Sequence, residues 1–257
     1  MKDEKELLSI IIPAYMEPYL AKTVDSLHES AKGPIEVIVV LDGYWPEKIP
    51  EKCVVIHSTS DVGMRTAINK GARIAKGKYL MKCDAHCLFK PGFDLQLKND
   101  CQENWMMVPV LYQMDMDKWR RQGTRREFQY FDKTDMKGHD WPEFAERCEG
   151  QQLCDLLTSQ GSCWFTPLEW FKKIGMEDDV NYGKMGREAQ EMCLKTWTNG
   201  GRYVLNRNVW YAHWRKSHAA KRSSNRSKSM KYAVKHWQEE EDISWLIKKF
   251  APVPSWD

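Results

Sequence analysis

The chain predicts an α/β fold, a mostly parallel central sheet with helices on both faces, and three observations carry that expectation. Through the first hundred residues short apolar runs alternate with segments of helical periodicity, the order that lays down parallel strands joined by covering helices. The apolar runs are nearly continuous, as strands buried on both faces require. The chain has 257 residues, 42% of them hydrophobic, which is enough to fill one sizeable core, so a single main domain is expected.

Residues 8–12 form the first strand, stopped by Pro13. Residues 18–30 follow as a helix with Leu20, Val24 and Leu27 on one face. A second strand over 35–41 runs into Asp42 and Gly43, and a third over 53–56 ends near His57. Residues 63–75 read as the next helix, with Gly77 placed to close it. A fourth strand, 78–83, then delivers Asp84, Ala85 and His86 at its carboxyl end. Ligands of open α/β sheets gather outside the carboxyl ends of the strands, so Pro13, Ala14, Tyr15, Asp42 and the Asp84 triplet are expected on one rim. Downstream, 105–112, 161–166 and 202–210 predict strands and 188–198 a helix. Residues 115–155 are polar and charged and predict an irregular excursion over that rim. Trp237, Ile243, Trp245, Leu246, Ile247 and Phe250 stand at roughly helical spacing ahead of Pro252. They predict a C-terminal helix docked on the domain or on a second subunit.

The 39 basic and 36 acidic residues nearly balance, but their distribution is uneven. Residues 215–235 hold eight Lys or Arg and no acid, and an acidic run over 239–242 follows. Residues 217–229, rich in Ser, Lys and Arg, are expected to be mobile without ligand. No apolar stretch approaches the roughly 20 residues that span a bilayer, and the N-terminus lacks the pattern of a signal peptide. The eight cysteines contain no Cys-x-x-Cys pair, so they read as reduced thiols in a soluble, cytoplasmic protein.

In an extended segment residues i and i+2 point the same way, so Asp84 and His86 can present a carboxylate and an imidazole to one point. A mixed oxygen and nitrogen set with room for phosphate oxygens suits manganese better than magnesium. Asp-x-His alone is equally an ordinary polar pair after a strand. Its company is more specific. GARIAKGKYLMKCDAHC over 71–87, GSCWF over 161–165, EAQEMCLKTWTNGG over 188–201 and AHWRK over 212–216 together resemble, in order, the catalytic segments of the polypeptide N-acetylgalactosaminyltransferases. These are metal-dependent enzymes of the GT-A (nucleotide-diphospho-sugar transferase) fold. The likeness spans most of residues 7–216 and is poor from 115 to 155.

That resemblance implies a hexosyltransferase that uses a UDP-sugar and Mn2+, with Asp84, His86 and His213 as metal ligands. Without the other motifs His213 would read as a core histidine in an aromatic strand. The resemblance also places Pro13, Ala14 and Tyr15 beside the uridine. Asp42 matches an acid that can accept hydrogen bonds from uracil or ribose, although Gly43 stands where the family often has a second acid. Arg65, in the first turn of its helix, is open to two readings, a diphosphate contact or a solvated helix residue. Glu188 would act at the sugar, or else belong to an exposed helix face with Glu191. Ala189 replaces the Asp that inverting relatives carry beside that Glu, which favours retention of anomeric configuration. Trp197 could wall the pocket or simply fill the core.

The same reading divides the chain into a transferase domain, 1–216, and a basic flexible segment with a C-terminal helix, 217–257. The family's anchor, stem and lectin domain are expected to have no counterpart, and the acceptor is not expected to transfer with the fold. The basic stretch 215–235 fits either a lid over the donor diphosphate or a surface for DNA. The latter suits a phage- or bacterium-encoded glycosyltransferase acting on hydroxymethylated bases. The same motifs are also compatible with an inverting family-2-like sugar transferase or with an inactive nucleotide-sugar-binding module.

Overall fold

A computed structural model describes residues 6–215 and 226–256. β1 (Leu8–Ala14), α1 (Leu20–Ser30), β2 (Ile35–Asp42), β3 (Val54–Ser58), α2 (Met64–Ile74) and β4 (Tyr79–Cys83) follow the predicted alternation closely. They build a parallel block in the order β4-β1-β2-β3. Next come β5 (Cys87–Phe89), α3 (Phe93–Asp100), β6 (Trp105–Asp115), β7 (Arg120–Arg126), β8 (Gln129–Phe131), β9 (Gly138–Asp140) and β10 (Leu153–Asp155). The chain continues through β11 (Cys163–Pro167), α4 (Leu168–Lys173), α5 (Glu188–Thr198) and β12 (Arg202–His213). It ends with α6 (Arg226–Lys235) and α7 (Ser244–Phe250). β11 enters antiparallel between β4 and β6, while β6 and β12 pair in parallel, so the central sheet is parallel in the half that begins the site and mixed beyond it.

Side-chain alternation along the buried strands divides the core into two. Ile10 and Ile12 of β1, with Val37, Val39 and Leu41 of β2, pack against Val24 and Leu27 of α1 and Phe93 and Leu97 of α3. Ile11, Ile38 and Val40 face the other way, toward Ala67, Ile68 and Ala72 of α2. Each such fully buried aliphatic side chain contributes about 1.5–3 kcal/mol from removal of apolar surface. Gly71 permits this close packing: a Cβ there would lie 2.8 Å from Ile11 Cγ2.

Two expectations need correction. Residues 115–155 are not irregular: β7 pairs with the end of β6, β8 and β9 form a ribbon, and a 3-10 turn spans Pro142–Cys148. Phe128, Phe131, Trp141 and Phe144 are buried in the α2-side core and fasten this segment, which its polar composition conceals. The C-terminal part holds an additional helix. Within the stretch expected to be mobile, 217–225 lie outside the described residues, and α6 begins at Arg226. Ala233, Trp237, Ile243, Leu246 and Phe250 belong to the same core as α5, so this part docks on the domain. Among the described residues no helix is long and apolar enough to cross a membrane.

Candidate metal centre and adjoining cavity

The carboxyl end of β4 meets the end of β12 through the short strand β5. His213 pairs with Cys87, and the Trp214 amide donates to the His86 carbonyl at 3.2 Å. Two segments 129 residues apart are thereby held by backbone bonds, and one ligand atom from each of Asp84, His86 and His213 falls within 4.8 Å of the others. His213 Nε2 lies 3.1 Å from Asp84 Oδ2, and the two imidazole centres are 4.8 Å apart.

The surroundings set the charge and orientation of these three candidate ligands. Burial opposes charge on Asp84, but Lys82 and then His213 overcome it and hold the carboxyl far below its ordinary range. Lys82, itself 1% exposed, donates to Asp84 Oδ1 at 2.5 Å and to the Gly161 carbonyl at 2.6 Å. Burial lowers the pKa of His213, against the pull of Asp84, which favours the neutral imidazole that metals bind. His86 Nδ1 is 3.0 Å from Glu17 Oε2, a carboxylate contact that orients the ring and leaves Nε2 for an ion. Cys83, Cys87 and Cys163 nearby are fully buried, and burial pushes their thiols well above the ordinary value, so they act as packing. One carboxylate with two imidazoles, backed by Lys82 and Glu17, fits a first-row divalent cation.

A cavity of about 270 Å³ opens beside His213 and is lined also by Gln113, Arg126, Gln160, Gly161 and Glu188. Amides, a guanidinium and a carboxylate form a wall suited to hydroxyl groups. Glu188 begins α5, and its Oε1 accepts from the Gly186 amide at 2.6 Å.

The other expected site residues fall in different places. Pro13 and Ala14 end β1 in register with Val40 and Leu41, which brings Tyr15 to the rim near Asp42. Asp42 is 2% exposed and takes the Val62 and Gly63 amides at 2.6 and 3.1 Å, fixing the turn into α2. Arg65 matches neither reading. It is fully buried, bonded to Glu191 at 2.8 Å and to the Gly186 carbonyl at 2.8 Å, and so it is neither solvated nor open to a diphosphate. Trp197 is not among the residues lining the cavity. It points into the core, where its indole N–H donates to the Leu156 carbonyl at 3.0 Å and its ring meets Phe250 edge-on. Lys82 and Glu17 were missed, although a lysine inside the otherwise apolar YLMKC strand, two residues before Asp84, is a legible signal.

This sheet, with Asp84, His86 and His213 converging at the carboxyl end of β4, is that of a GT-A glycosyltransferase. The family profile described as glycosyl transferase family 2 matches residues 9–175, and the chain belongs to that family. The matched span stops short of Glu188 and His213. An uncharacterized glycosyltransferase, EpsJ of Bacillus subtilis (strain 168), is 29% identical over 113 residues, 40% of this chain and 32% of that protein. The chain thus spans about a third of the length of that relative. GalNAc-T7, solved with UDP, GalNAc and Mn2+, superposes with a TM-score of 0.76 at 18% identity, covering 99% of this chain and 53% of its own. A mannosyltransferase of Pyrobaculum calidifontis with GDP-Man and Mn2+ gives 0.56 at 13% identity, covering 91% and 70%. TarS 1-349 of S. aureus with UDP-GlcNAc gives 0.56 at 14%, covering 82% and 59%.

Proposed function

We propose that this glycosyltransferase moves a hexose from a UDP-sugar to a hydroxyl acceptor, uses Mn2+ held by Asp84, His86 and His213, and retains the anomeric configuration. The observation that carries the reading is the convergence of those three side chains beside a polar cavity that also exposes Glu188. The ion, when bound, neutralises charge that develops on the departing diphosphate. Asp42, Pro13, Ala14 and Tyr15 form the nucleotide side of the rim. Gln113, Gln160 and Arg126 hold sugar hydroxyls, and Glu188 orients them. Retention is supported by the lining itself, in which Glu188 is the one carboxylate among the described residues and Ala189 stands next to it, so no second base faces an acceptor hydroxyl there. Structures of GalNAc-T7 with UDP and Mn2+ and of TarS with UDP-GlcNAc support a UDP-linked donor.

The test is donor hydrolysis across UDP- and GDP-hexoses, with and without Mn2+, followed by proton NMR of the product anomer. Failure to hydrolyse any UDP-sugar with Mn2+ rejects the donor assignment, and an inverted product rejects retention. A second reading, a DNA acceptor with hydroxymethylated bases, draws on the exposed arginines of β7, which lead to Arg126 and Arg215 at the cavity. Retention on DNA that weakens steeply with salt, without donor, supports it. Residues 1–216 are assigned to transfer and 217–257 to an appended segment, whose described helices pack on the domain core. The eight free cysteines support a reducing, cytoplasmic setting.

A further inference from the structure

Arg65 lies in the first turn of α2, over a hundred residues from α5, yet its guanidinium reaches the turn that opens α5. Its Nε donates to Glu191 Oε2 at 2.8 Å, and an Nη donates to the Gly186 carbonyl at 2.8 Å. The remaining Nη is buried without a hydrogen-bond partner among the described residues, 3.6 Å from Glu188 Oε1. Glu188 in turn accepts from the Gly186 amide at 2.6 Å, so the N–H and the C=O of Gly186 are both held, the first by Glu188 and the second by Arg65. The far side of the guanidinium is closed by Tyr182, whose ring lies 4.5 Å away and whose hydroxyl accepts from Trp237 Nε1 at 2.6 Å. Bonding one carboxylate and one carbonyl while holding a third nitrogen 3.6 Å from a second carboxylate is a task for a planar fork, for which the single point charge of lysine is unsuited.

We infer that Arg65 is a positioning residue: by gripping Gly186 and Glu191 on either side of Glu188, it aims the Glu188 carboxylate into the cavity beside His213. The inference rests on the proposed role of Glu188 at the sugar. Arg65 does not touch donor or acceptor, so its loss acts on turnover and not on donor affinity.

The experiment measures Mn2+-dependent release of UDP to water, using whichever UDP-hexose the wild-type enzyme hydrolyses fastest, for Arg65→Lys, Glu188→Gln and the double variant, with melting curves for each. Arg65→Lys is expected to lower kcat by about tenfold with KM for the donor within about twofold, and the double variant to be no worse than Glu188→Gln alone. Wild-type kcat in a folded Arg65→Lys enzyme overturns the inference, and so does a loss that multiplies that of Glu188→Gln. Should Arg65→Lys not fold, the isosteric Glu191→Gln decides. Loosening that end of the guanidinium is expected to lower kcat several-fold without moving KM, again with no effect beyond Glu188→Gln, and an unchanged kcat overturns the inference. Glu188→Gln at wild-type rate removes the role of Glu188 itself, a result distinct from an additive double variant.

Discussion

Glu177 lies between α4 and α5, 2% exposed, with neither carboxyl oxygen hydrogen-bonded among the described residues and Arg65 Nε 3.9 Å away. Burial pushes its pKa from 4.5 up to about 8, with Arg65 opposing and the charges of Glu191 and Glu188 adding to the rise. The folded protein therefore binds a proton between these values that the unfolded chain releases. Stability from this group is fully present below about pH 4.5 and declines as pH rises toward 8, at no more than about 1.4 kcal/mol per pH unit. Between pH 5 and 7 the loss is on the order of 2 kcal/mol for a single proton, a sizeable part of a typical folding free energy. Glu177→Gln keeps the shape and carries no titrating proton. Urea unfolding at pH 5, 6, 7 and 8, in EDTA so that metal binding does not contribute, should show the variant gaining on the wild type by up to about 1 kcal/mol per unit. Parallel pH profiles for the two proteins would refute the assignment of the buried proton to Glu177.

Further outcomes follow from the same geometry. His213→Ala is expected to weaken Mn2+ binding, measured calorimetrically, by at least about tenfold and to abolish or sharply reduce turnover. Unchanged metal affinity sinks the ligand assignment. Trp197→Ala should cost about 3–5 kcal/mol of stability through the cavity it leaves against Phe250, with donor KM unchanged in enzyme that stays folded. A raised KM would return Trp197 to the pocket wall. Gly71→Ala drives a Cβ against Ile11 and should destabilise by about 1–3 kcal/mol on denaturant unfolding, although alanine is the better helix former. A more stable variant would show that β1 and α2 can separate at no cost.

The order of strands and helices through β4 was legible because continuous apolar runs and helical periodicity are local signals, and each ended at a residue that breaks or caps an element. Asp84 and His86 were paired in the sequence on the two-residue repeat of extended backbone, whereas in the structure β4 ends at Cys83 and a bend at 85–86 brings the two side chains together. His213 was reached only through resemblance: nothing within β12 marks it as more than a core histidine until β5 brings Cys87 against it. The excursion at 115–155 misled because its anchoring aromatics are scattered among charges, and burial of a few rings outweighs mean polarity. Arg65 was left between a diphosphate contact and a solvated helix residue, and Trp197 between pocket wall and core, because a position on a helix does not say which face a tertiary neighbour covers.

The sequence by itself determined the α/β class, the parallel block around β1 and the Asp84–His86 pair at its rim, since these depend on patterns within a few residues. Tertiary structure alone decided that Arg65 is sealed among Glu177, Glu188 and Glu191, that Lys82 and Glu17 contact Asp84 and His86, and that Trp197 faces the core. Those outcomes turn on charge and burial across elements far apart in the chain. A buried charge is stable only where folding has brought its partners, and no local pattern records that meeting.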